Sequence, residues 1–165
     1  MKKYFSLIFI SLALFSACST SITSYEVIQA VKSTEDLDSE KKWALMTGRW
    51  YGNQPTKEGG NREQIIERYP DGTYKVDFRI HKMDGSFEAH SEVGYWGVSG
   101  PIYFSIFKGW LQDGKILPSS PSNPYNYDAY EIVSLSEETF KYRSFRSDNK
   151  FTLIKVGAEF QLGDQ

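Results

Sequence analysis

The sequence has only one cysteine and two histidines. A single cysteine cannot close an internal disulfide, and these side chains are too few for the ligand set of a structural zinc site. Neither sign of charge dominates, because 19 basic residues stand against 21 acidic ones and give a formal net charge of -2. Such a chain offers no broad positive field to a nucleic-acid backbone. We therefore expect no metal, no other cofactor and no nucleic-acid partner.

The chain does contain enough apolar material for a core. Hydrophobic residues make up 40% of its 165 residues, and aromatic residues make up 16%. Disordered chains carry fewer of both, and the length is about that of one domain. The sequence therefore predicts one folded domain with a buried interior.

The N-terminus has the outline of a signal peptide. Met1-Lys2-Lys3 is a short positive start, and Tyr4 to Phe15 is an apolar run interrupted only by Ser6 and Ser11. A membrane-spanning helix needs roughly 20 apolar residues, and this run is shorter. We therefore expect a cleaved signal segment and no permanent span here.

The residues Phe15-Ser16-Ala17-Cys18 end this run. They resemble the lipobox of bacterial lipoproteins, in which small residues precede a cysteine that is lipidated and becomes the new N-terminus. The resemblance implies a signal peptide over residues 1–17 and acyl chains, such as palmitate, that hold Cys18 to a membrane. Ser19 stands where an aspartate usually signals inner-membrane retention, so the resemblance implies a periplasm-facing outer-membrane lipoprotein. The alternative is an ordinary secretory signal with an incidental cysteine.

The mature chain divides into a tether and a folded domain. Residues 18–33 are expected to form the lipidated cysteine and its tether, and residues 34–165 the domain. Thr34 opens a stretch of good helix formers with acidic residues in its first turn, and Gly48 follows its end. Acidic residues suit the start of a helix, and glycine commonly closes its end. A short helix is predicted over residues 35–46.

After Gly48, apolar segments are separated by turns rich in Gly, Pro, Asn and Asp, a pattern typical of antiparallel strands. Eight strands are predicted: Arg49–Gln54, Arg62–Tyr69, Thr73–His81, Ser86–Val98, Ile102–Leu111, Tyr127–Leu135, Thr139–Phe145 and Phe151–Val156. Closing such a meander into an up-and-down barrel removes its exposed edges. We therefore expect a mainly β fold, an eight-stranded antiparallel barrel whose interior is filled by side chains or holds one small ligand.

One predicted connection, Gln112 to Asn126, is longer than the others. It contains Pro118, Pro121 and Pro124, and it is too long and too rich in proline for a plain hairpin. We expect a lid or a binding loop, and the alternative is that its tyrosines pack down as part of the core.

The third and fourth predicted strands carry charges that can pair across their hairpin. The third strand alternates apolar and polar residues, which indicates one buried face and one wet face. The favoured register brings opposite charges together on the wet face. The predicted pairs are Lys75 with Glu92, Asp77 with His90 and Arg79 with Glu88.

This wet face would also hold both histidines, His81 and His90. A general acid–base cluster or a weak metal site is one interpretation, and a solvated row of surface charges is the expected one. Lys57 to Asn61 lacks the ending of a phosphate loop, and no nucleophile motif surrounds any serine. We therefore expect a protein that is not an enzyme.

Gly48-Arg49-Trp50 opens the first predicted strand directly after the helix. This triplet resembles the G-x-W motif of lipocalins and related calycin barrels, in which the tryptophan packs across the closed end. The helix, the eight strands and the length match the same pattern, so the resemblance implies a lipocalin-like barrel with Gly48 and Trp50 at its floor. The Thr-Asp-Tyr motif of that family is missing. Lipocalins also place an arginine over the tryptophan, and the candidates for that position are Arg143, Arg146 and Lys155.

Aromatic residues are concentrated in the fourth to sixth predicted strands and the proline-rich connection. The fifth strand is apolar on both faces, so its second face needs a cover, which is either the N-terminal helix or a ligand or partner. The candidate contacts to a ligand or partner are Tyr103, Phe107, Trp110, Tyr125 and Tyr127.

Two functions of different kinds fit these features. The favoured one is a lipid-anchored cell-envelope lipoprotein that binds a small hydrophobic or amphipathic ligand in its barrel. The alternative is an envelope protein-protein interaction or inhibitor module with a filled barrel. Inward aromatic residues are the same in a packed core and in a pocket wall, so the sequence leaves both open.

Replacing Cys18 by serine tests the anchor. Cys18→Ser is expected to block lipid attachment and to leave unprocessed or soluble protein, because no other feature of the sequence holds the chain to a membrane. Membrane fractionation and the intact mass of the mature protein measure this, with Ser21→Ala in the tether as control. Unchanged fractionation together with ordinary signal cleavage would contradict the lipoprotein interpretation.

Overall fold

The structure, a computed structural model, describes residues 39–163. The predicted signal segment, Cys18 and the predicted tether lie outside these residues, as does the first part of the predicted helix. Helix α1 occupies residues 39–46, inside the predicted range. In the described part of the chain, no helix has the length and hydrophobicity needed to cross a membrane.

Residues 48–155 form one antiparallel sheet of nine strands. The strands are β1 Gly48–Pro55, β2 Asn61–Arg68, β3 Thr73–His81, β4 Phe87–Ser99, β5 Ile102–Gln112, β6 Lys115–Pro118, β7 Tyr127–Leu135, β8 Thr139–Ser144 and β9 Lys150–Lys155. Because β1 pairs with β9 and β4 pairs with β5, eight of them close into a ring. The ninth, β6, pairs with β5 beside the ring. The predicted eight-stranded barrel is confirmed.

Strand β6 lies inside the connection that was expected to be a single long loop. Asp113 and Gly114 form a two-residue turn, with φ of 51° and 73°, and Gln112 pairs with Lys115 across it. Two consecutive positive φ values are the mark of the type I′ hairpin turn, for which Asp-Gly is a preferred sequence. The remaining connection before β7 is therefore shorter than predicted, and it ends in a 3₁₀ turn at Pro124–Asn126.

Three hairpins of the barrel have loops of three residues that end in glycine. Gly59, Gly72 and Gly85 have φ of 84°, 83° and 84°, and in each loop the glycine N–H donates to the carbonyl three residues earlier. A type I turn followed by a glycine in the left-handed region is the usual form of such a loop. Its odd length sets which residues of the two strands face each other.

The register between β3 and β4 therefore differs from the predicted one, and the predicted ion pairs are wrong. The observed partners are Lys75 with Val93, Asp77 with Ser91 and Arg79 with Ala89. A shift by one residue turns every side chain of a strand to the opposite face. Glu92 and His90 consequently lie opposite Val76 and Phe78, on the inner face of the barrel.

The closed end of the barrel holds the best-packed part of the core. Trp50 is fully buried, and its indole Nε1 donates to the carbonyl of Met46 at 2.8 Å, at the end of α1. The Lys155 Nζ lies 4.4 Å from the centre of the Trp50 ring and donates to the carbonyls of Leu45, at 3.0 Å, and of Thr47. Lys155 thus occupies the place over the tryptophan for which three basic residues were candidates.

Helix α1 covers this closed end, and its described residues do not cover the outer face of β5. Trp43 stacks on Trp96 with ring centres 4.2 Å apart, and Lys42 donates to the carbonyl of Gly100 at 2.7 Å. On the outer face of β5, Ile102 and Phe104 are 38% and 37% exposed. The expectation that the helix shields this face is therefore not met by residues 39–46.

Part of the outer surface of the barrel is covered by the segment that follows β9. The alternation of apolar and polar residues along the strands does not predict this cover. Residues 156–163 lie against β1 and β3, where Arg49 donates to the carbonyls of Gly157 and Phe160, both at 3.1 Å, and Arg79 donates to that of Leu162 at 2.7 Å. The ring of Phe160 packs on Tyr51 at 4.9 Å, and Tyr51 is buried although it points outward. The wet face expected for these strands is therefore partly covered.

Truncation of the floor tryptophan tests its role in closing the barrel. Trp50→Ala is expected to lower the free energy of unfolding by about 3–5 kcal/mol, because it leaves a large cavity at a fully buried position. Thermal unfolding followed by circular dichroism should show a drop in Tm of about 10 °C or more.

Trp110→Ala is the matched control, since this tryptophan is 46% exposed. Its expected loss is below about 1 kcal/mol. Equal losses for the two variants would contradict the assignment of Trp50 as the floor of the barrel.

Candidate functional site

The barrel is open at the end opposite to Trp50. The turns over residues 56–60, 82–86 and 145–149 surround this opening, together with the segment between β5 and β7. Behind it lies a cavity of about 340 Å³ inside the ring of strands. Its walls are formed by Arg62, Gln64, Ile66, Tyr74, Val76, Phe78, Glu92, Tyr103, Ser105, Phe107, Trp110, Tyr125, Asp128, Tyr130, Tyr142 and Phe151.

Aromatic rings make most of the apolar wall. Tyr103 and Tyr130 stack with centres 5.2 Å apart, and Tyr142 meets Tyr130 edge to face at 5.1 Å. Nearer the mouth, Phe107 and Trp110 make a second edge-to-face pair at 4.8 Å. Such pairs hold each other in place beyond their area of burial, so the wall has a defined shape without a ligand.

A glycine makes room for the innermost part of this wall. Gly94 faces Tyr74 across β3 and β4, and a Cβ atom at position 94 would lie 2.7 Å from the Tyr74 ring and 2.1 Å from the carbonyl of Ile106. Distances this short exclude any larger side chain without movement of the backbone. The position of Tyr74 in the cavity therefore depends on Gly94.

Four of the five aromatic residues singled out from the sequence lie in the cavity wall. Tyr103 is buried at its inner end, Phe107 and Trp110 lie nearer the mouth, and Tyr125 stands at the rim with 74% exposure. Tyr127 is not in the wall; its hydroxyl donates to the carbonyl of Pro121 at 2.8 Å and braces the preceding loop.

Residues 119–126 form an ordered loop beside the mouth. Arg146 holds it, since its Nη2 donates to the carbonyl of Tyr127 at 2.7 Å and its guanidinium lies 5.4 Å from the centre of the Tyr125 ring. Asn126 is buried and donates to the carbonyl of Ser120 at 2.8 Å. These contacts fix Tyr125 at the rim of the cavity.

Charged side chains line the outer half of the cavity, and each has a polar neighbour. Arg62 donates to Gln54 at 3.2 Å, and Asp128 pairs with Arg146 at 3.1 Å. Glu92 lies 3.4 Å from the Nε2 of His90. Burial raises the pKa of Glu92 above its ordinary value, and the nearby His90 and Arg62 act in the opposite direction.

The structure does not bring the two histidines together. His90 stacks on Phe78 at 4.9 Å on the inner face, whereas the His81 Nε2 lies 2.7 Å from Glu63 on the outer face of β2 and β3. The predicted wet-face cluster of histidines and acids is therefore wrong. Among residues 39–163, no group of three or more His, Cys, Asp or Glu side chains is placed to hold a metal ion.

The alternation of residues along the strands did not predict that acidic and basic side chains lie in the cavity. The length of the β3–β4 loop decides the position of Glu92: a loop of two residues places it on the wet face, and a loop of three residues places it on the inner face. The signal that could have decided this is Gly85, which lies third in its loop, at the position that takes a left-handed backbone. The same reading applies to Gly59 and Gly72.

Comparison with protein-family models and with curated proteins finds no match to the chain. Among solved structures, the chain is similar to a lipocalin-like protein from Bacteroides uniformis, with 12% sequence identity and a TM-score of 0.42. The similarity covers 68% of this chain and 99% of that one. A likeness at this level says nothing about what the cavity holds.

The tyrosine hydroxyls of the inner wall are neutral over the physiological pH range. Burial raises the pKa of Tyr74, Tyr130 and Tyr142 well above that of a free tyrosine, and the neighbouring Tyr103 adds to the shift in each case. A neutral hydroxyl can both donate and accept a hydrogen bond. The inner wall thus combines apolar ring faces with polar edges.

Alkaline titration tests this protonation state. Because folding favours the neutral hydroxyls, the stability they contribute is intact below about pH 10, where unfolded tyrosines are also neutral, and it falls as pH rises further. We expect the tyrosinate absorbance of the folded protein to rise in two steps, the second coinciding with unfolding seen by circular dichroism. The urea-unfolded chain should titrate in one step. A single step near pH 10 with the barrel intact would contradict burial of these groups.

Proposed function

We propose that the protein is a lipid-anchored lipoprotein of the bacterial cell envelope whose barrel binds one small hydrophobic or amphipathic molecule. The observation that carries the proposal is the cavity of about 340 Å³ that opens opposite to the sealed Trp50 end. The volume lies at the lower end of the range for small-molecule pockets. It suits a ligand with one or two rings or a chain of moderate length.

The distribution of polar groups supports an amphipathic ligand. The wall joins rings such as Phe78, Phe107 and Phe151 to hydroxyl and amide groups from Ser105 and Gln64. The charged side chains of Arg62, Glu92 and Asp128 lie in the same wall, and polar atoms provide more of the exposed lining than apolar atoms do. A molecule with an apolar body and a polar group matches this wall better than a pure hydrocarbon.

Membrane attachment in this proposal comes from acyl chains on Cys18, as the lipobox resemblance implies. The barrel then works as a binding protein at the periplasmic side of the outer membrane and has no catalytic role. Support for the second part is that the charged groups of the cavity wall each have a polar neighbour outside the wall, as Asp128 has Arg146, and are not arranged as a nucleophile with its base.

One observation favours the alternative, a protein-protein interaction or inhibitor module. On β6, beside the barrel, Ile116 and Leu117 are 56% and 47% exposed. They lie on opposite faces of β6, since successive side chains of a strand alternate, and exposed apolar side chains on a strand beside the barrel are candidates for contact with a partner. This second candidate differs in requiring a filled barrel, which the cavity does not favour.

A neutral probe and two alanine variants test the binding proposal. The full chain, expressed in a bacterial envelope and purified in lipid nanodiscs, is titrated calorimetrically with 2-naphthol, with empty nanodiscs as the blank. Trp110→Ala is expected to weaken binding at least about fivefold, because the Trp110 ring forms part of the wall.

Phe145→Ala is the matched control, since Phe145 is 59% exposed and does not line the cavity. It should leave the affinity unchanged. Native mass spectrometry of the same preparation looks for a copurified small molecule. Absence of both a copurified molecule and 2-naphthol binding in the wild-type protein would refute the proposal.

A further inference from the structure

Arg68 is the most unusual polar residue of the barrel. It lies on the inner face of β2 and is only 1% exposed. Its Nε, Nη1 and Nη2 atoms are all buried, and none of them has a hydrogen-bond partner among the described residues. A buried charge without hydrogen bonds is costly, and in proteins such groups are normally paired. An unsatisfied guanidinium therefore calls for a specific explanation.

Within residues 39–163, the surroundings of Arg68 supply ring faces but no counter-charge. Its Cζ lies 4.8 Å from the centre of the Tyr103 ring and 5.3 Å from that of Phe140. The pKa of Lys155 is lowered first by burial and then by the positive charge of Arg68, so a second cation lies near Arg68. Aromatic faces offset only part of the desolvation of a cation. The inner end of the barrel therefore carries an excess of positive charge.

The position of Arg68 relates this charge to the cavity. Arg68 follows Gln64 and Ile66 on the same inner face of β2, and both of these line the cavity. Its partner across the strands is Tyr74, and the ring it covers is Tyr103, which both line the inner end. The guanidinium thus lies directly behind the tyrosines that end the cavity.

Arg62 lines the cavity, whereas Arg68 lies behind its wall, and the two arginines are in different states. Arg62 donates to Gln54 at 3.2 Å, lies 5.5 Å from the centre of the Phe78 ring, and acts on the carboxyl of Glu92. Its charge therefore already has an acidic neighbour. Arg68 is the cavity-side cation whose charge the described residues leave uncompensated.

We propose that the cavity binds a small aromatic or aliphatic anion, a carboxylate-bearing molecule, with its charged group at the inner end beside Tyr74 and Tyr103 and with Arg68 as the counter-charge. This inference rests on the proposed function, and it adds the chemical class and the orientation of the ligand. The apolar body of the ligand then lies between the rings of the outer wall, towards Phe107 and Trp110.

Two further features fit an anion at this place. Burial raises the pKa of the Tyr74, Tyr130 and Tyr142 hydroxyls, so these groups stay protonated and can donate hydrogen bonds to a carboxylate. The acids of the cavity, Glu92 and Asp128, pair with His90 and Arg146, so part of their charge is already offset. Both acids raise the pKa of Tyr74, and Arg68 acts in the opposite direction, so the place of Arg68 behind Tyr74 and Tyr103, and not a separation of charges along the cavity, gives a bound carboxylate its direction.

The test compares two probes of nearly the same shape, 2-naphthoate and its uncharged amide, 2-naphthamide. Calorimetric titration uses the full chain in lipid nanodiscs at neutral pH, with empty nanodiscs as the blank. The wild-type protein is expected to bind 2-naphthoate about tenfold to a hundredfold more tightly than 2-naphthamide, the size of a charge-assisted interaction in a desolvated site. Equal affinities would overturn the inference and leave the proposed function standing. Failure of both probes, and of 2-naphthol, would refute the proposed function itself.

Variants then assign the preference to one residue. Arg68→Met should reduce the ratio of the two affinities to within about threefold, because it removes the charge and keeps an apolar side chain of similar length. Arg62→Gln should keep the ratio of the 2-naphthoate and 2-naphthamide affinities, even where both affinities change. Arg143→Gln, on the outer face and paired with Glu131, is a control that should change neither affinity. Loss of the ratio in Arg62→Gln, with retention in Arg68→Met, would overturn the inference.

The fold of each variant is checked by circular dichroism. If Arg68→Met does not fold, Arg68→Lys keeps the positive charge and is expected to retain a preference for 2-naphthoate. The wild-type ratio needs no variant and decides whether the cavity prefers an anion, and the arginine variants decide whether Arg68 is the counter-charge.

Discussion

The contact between Trp50 and Lys155 joins the first and last strands of the barrel, and the rest of the structure depends on it. The two residues are direct partners across the β1–β9 seam, which has only three paired positions. Both also bind the end of α1, Trp50 through the carbonyl of Met46 and Lys155 through that of Leu45. Cations near the last carbonyls of a helix are favourable. The seam and the floor are therefore stabilised by the same two side chains. Because they close this end of the barrel, the cavity opens at the opposite end.

The interior changes character along the barrel axis, and the cavity is a result of that change. Near the floor, Trp50, Phe140 and Leu153 fill the space between the strands. Towards the mouth the inward positions carry Arg62, Glu92 and other polar groups that keep partners at the rim and do not pack across the barrel. An eight-stranded barrel is just wide enough to be filled by large apolar side chains. Polar residues in place of apolar ones in its outer half therefore leave room for a ligand.

Turn residues and the alternation of apolar and polar residues predicted most of the fold. A strand register that is set by the backbone angle of a single glycine was not predicted. All eight barrel strands were found, because turn residues and alternation repeat along the chain, and the floor motif was found from the position of Trp50. The register of β3 and β4 was missed, because it depends on the left-handed backbone at Gly85 rather than on the charges of the strands. That single error moved Glu92 from the cavity to the surface. The covering of Tyr51 by Phe160 is a contact between distant residues, which strand periodicity does not report.

Arg68 is the point where stability and ligand binding oppose each other. A methionine or leucine at this place would pack against Tyr103 and Phe140 without a charge to desolvate, and replacement of buried ions by apolar groups is often neutral or stabilising. The cost of the guanidinium is highest in the empty barrel, since its neighbours among residues 39–163 bring no acid to it. A bound anion would lower that cost in proportion to its proximity in a medium of low dielectric. A molecule that binds beside Arg68 with a negative charge should therefore also stabilise the fold, because it supplies the negative charge that residues 39–163 do not bring to Arg68.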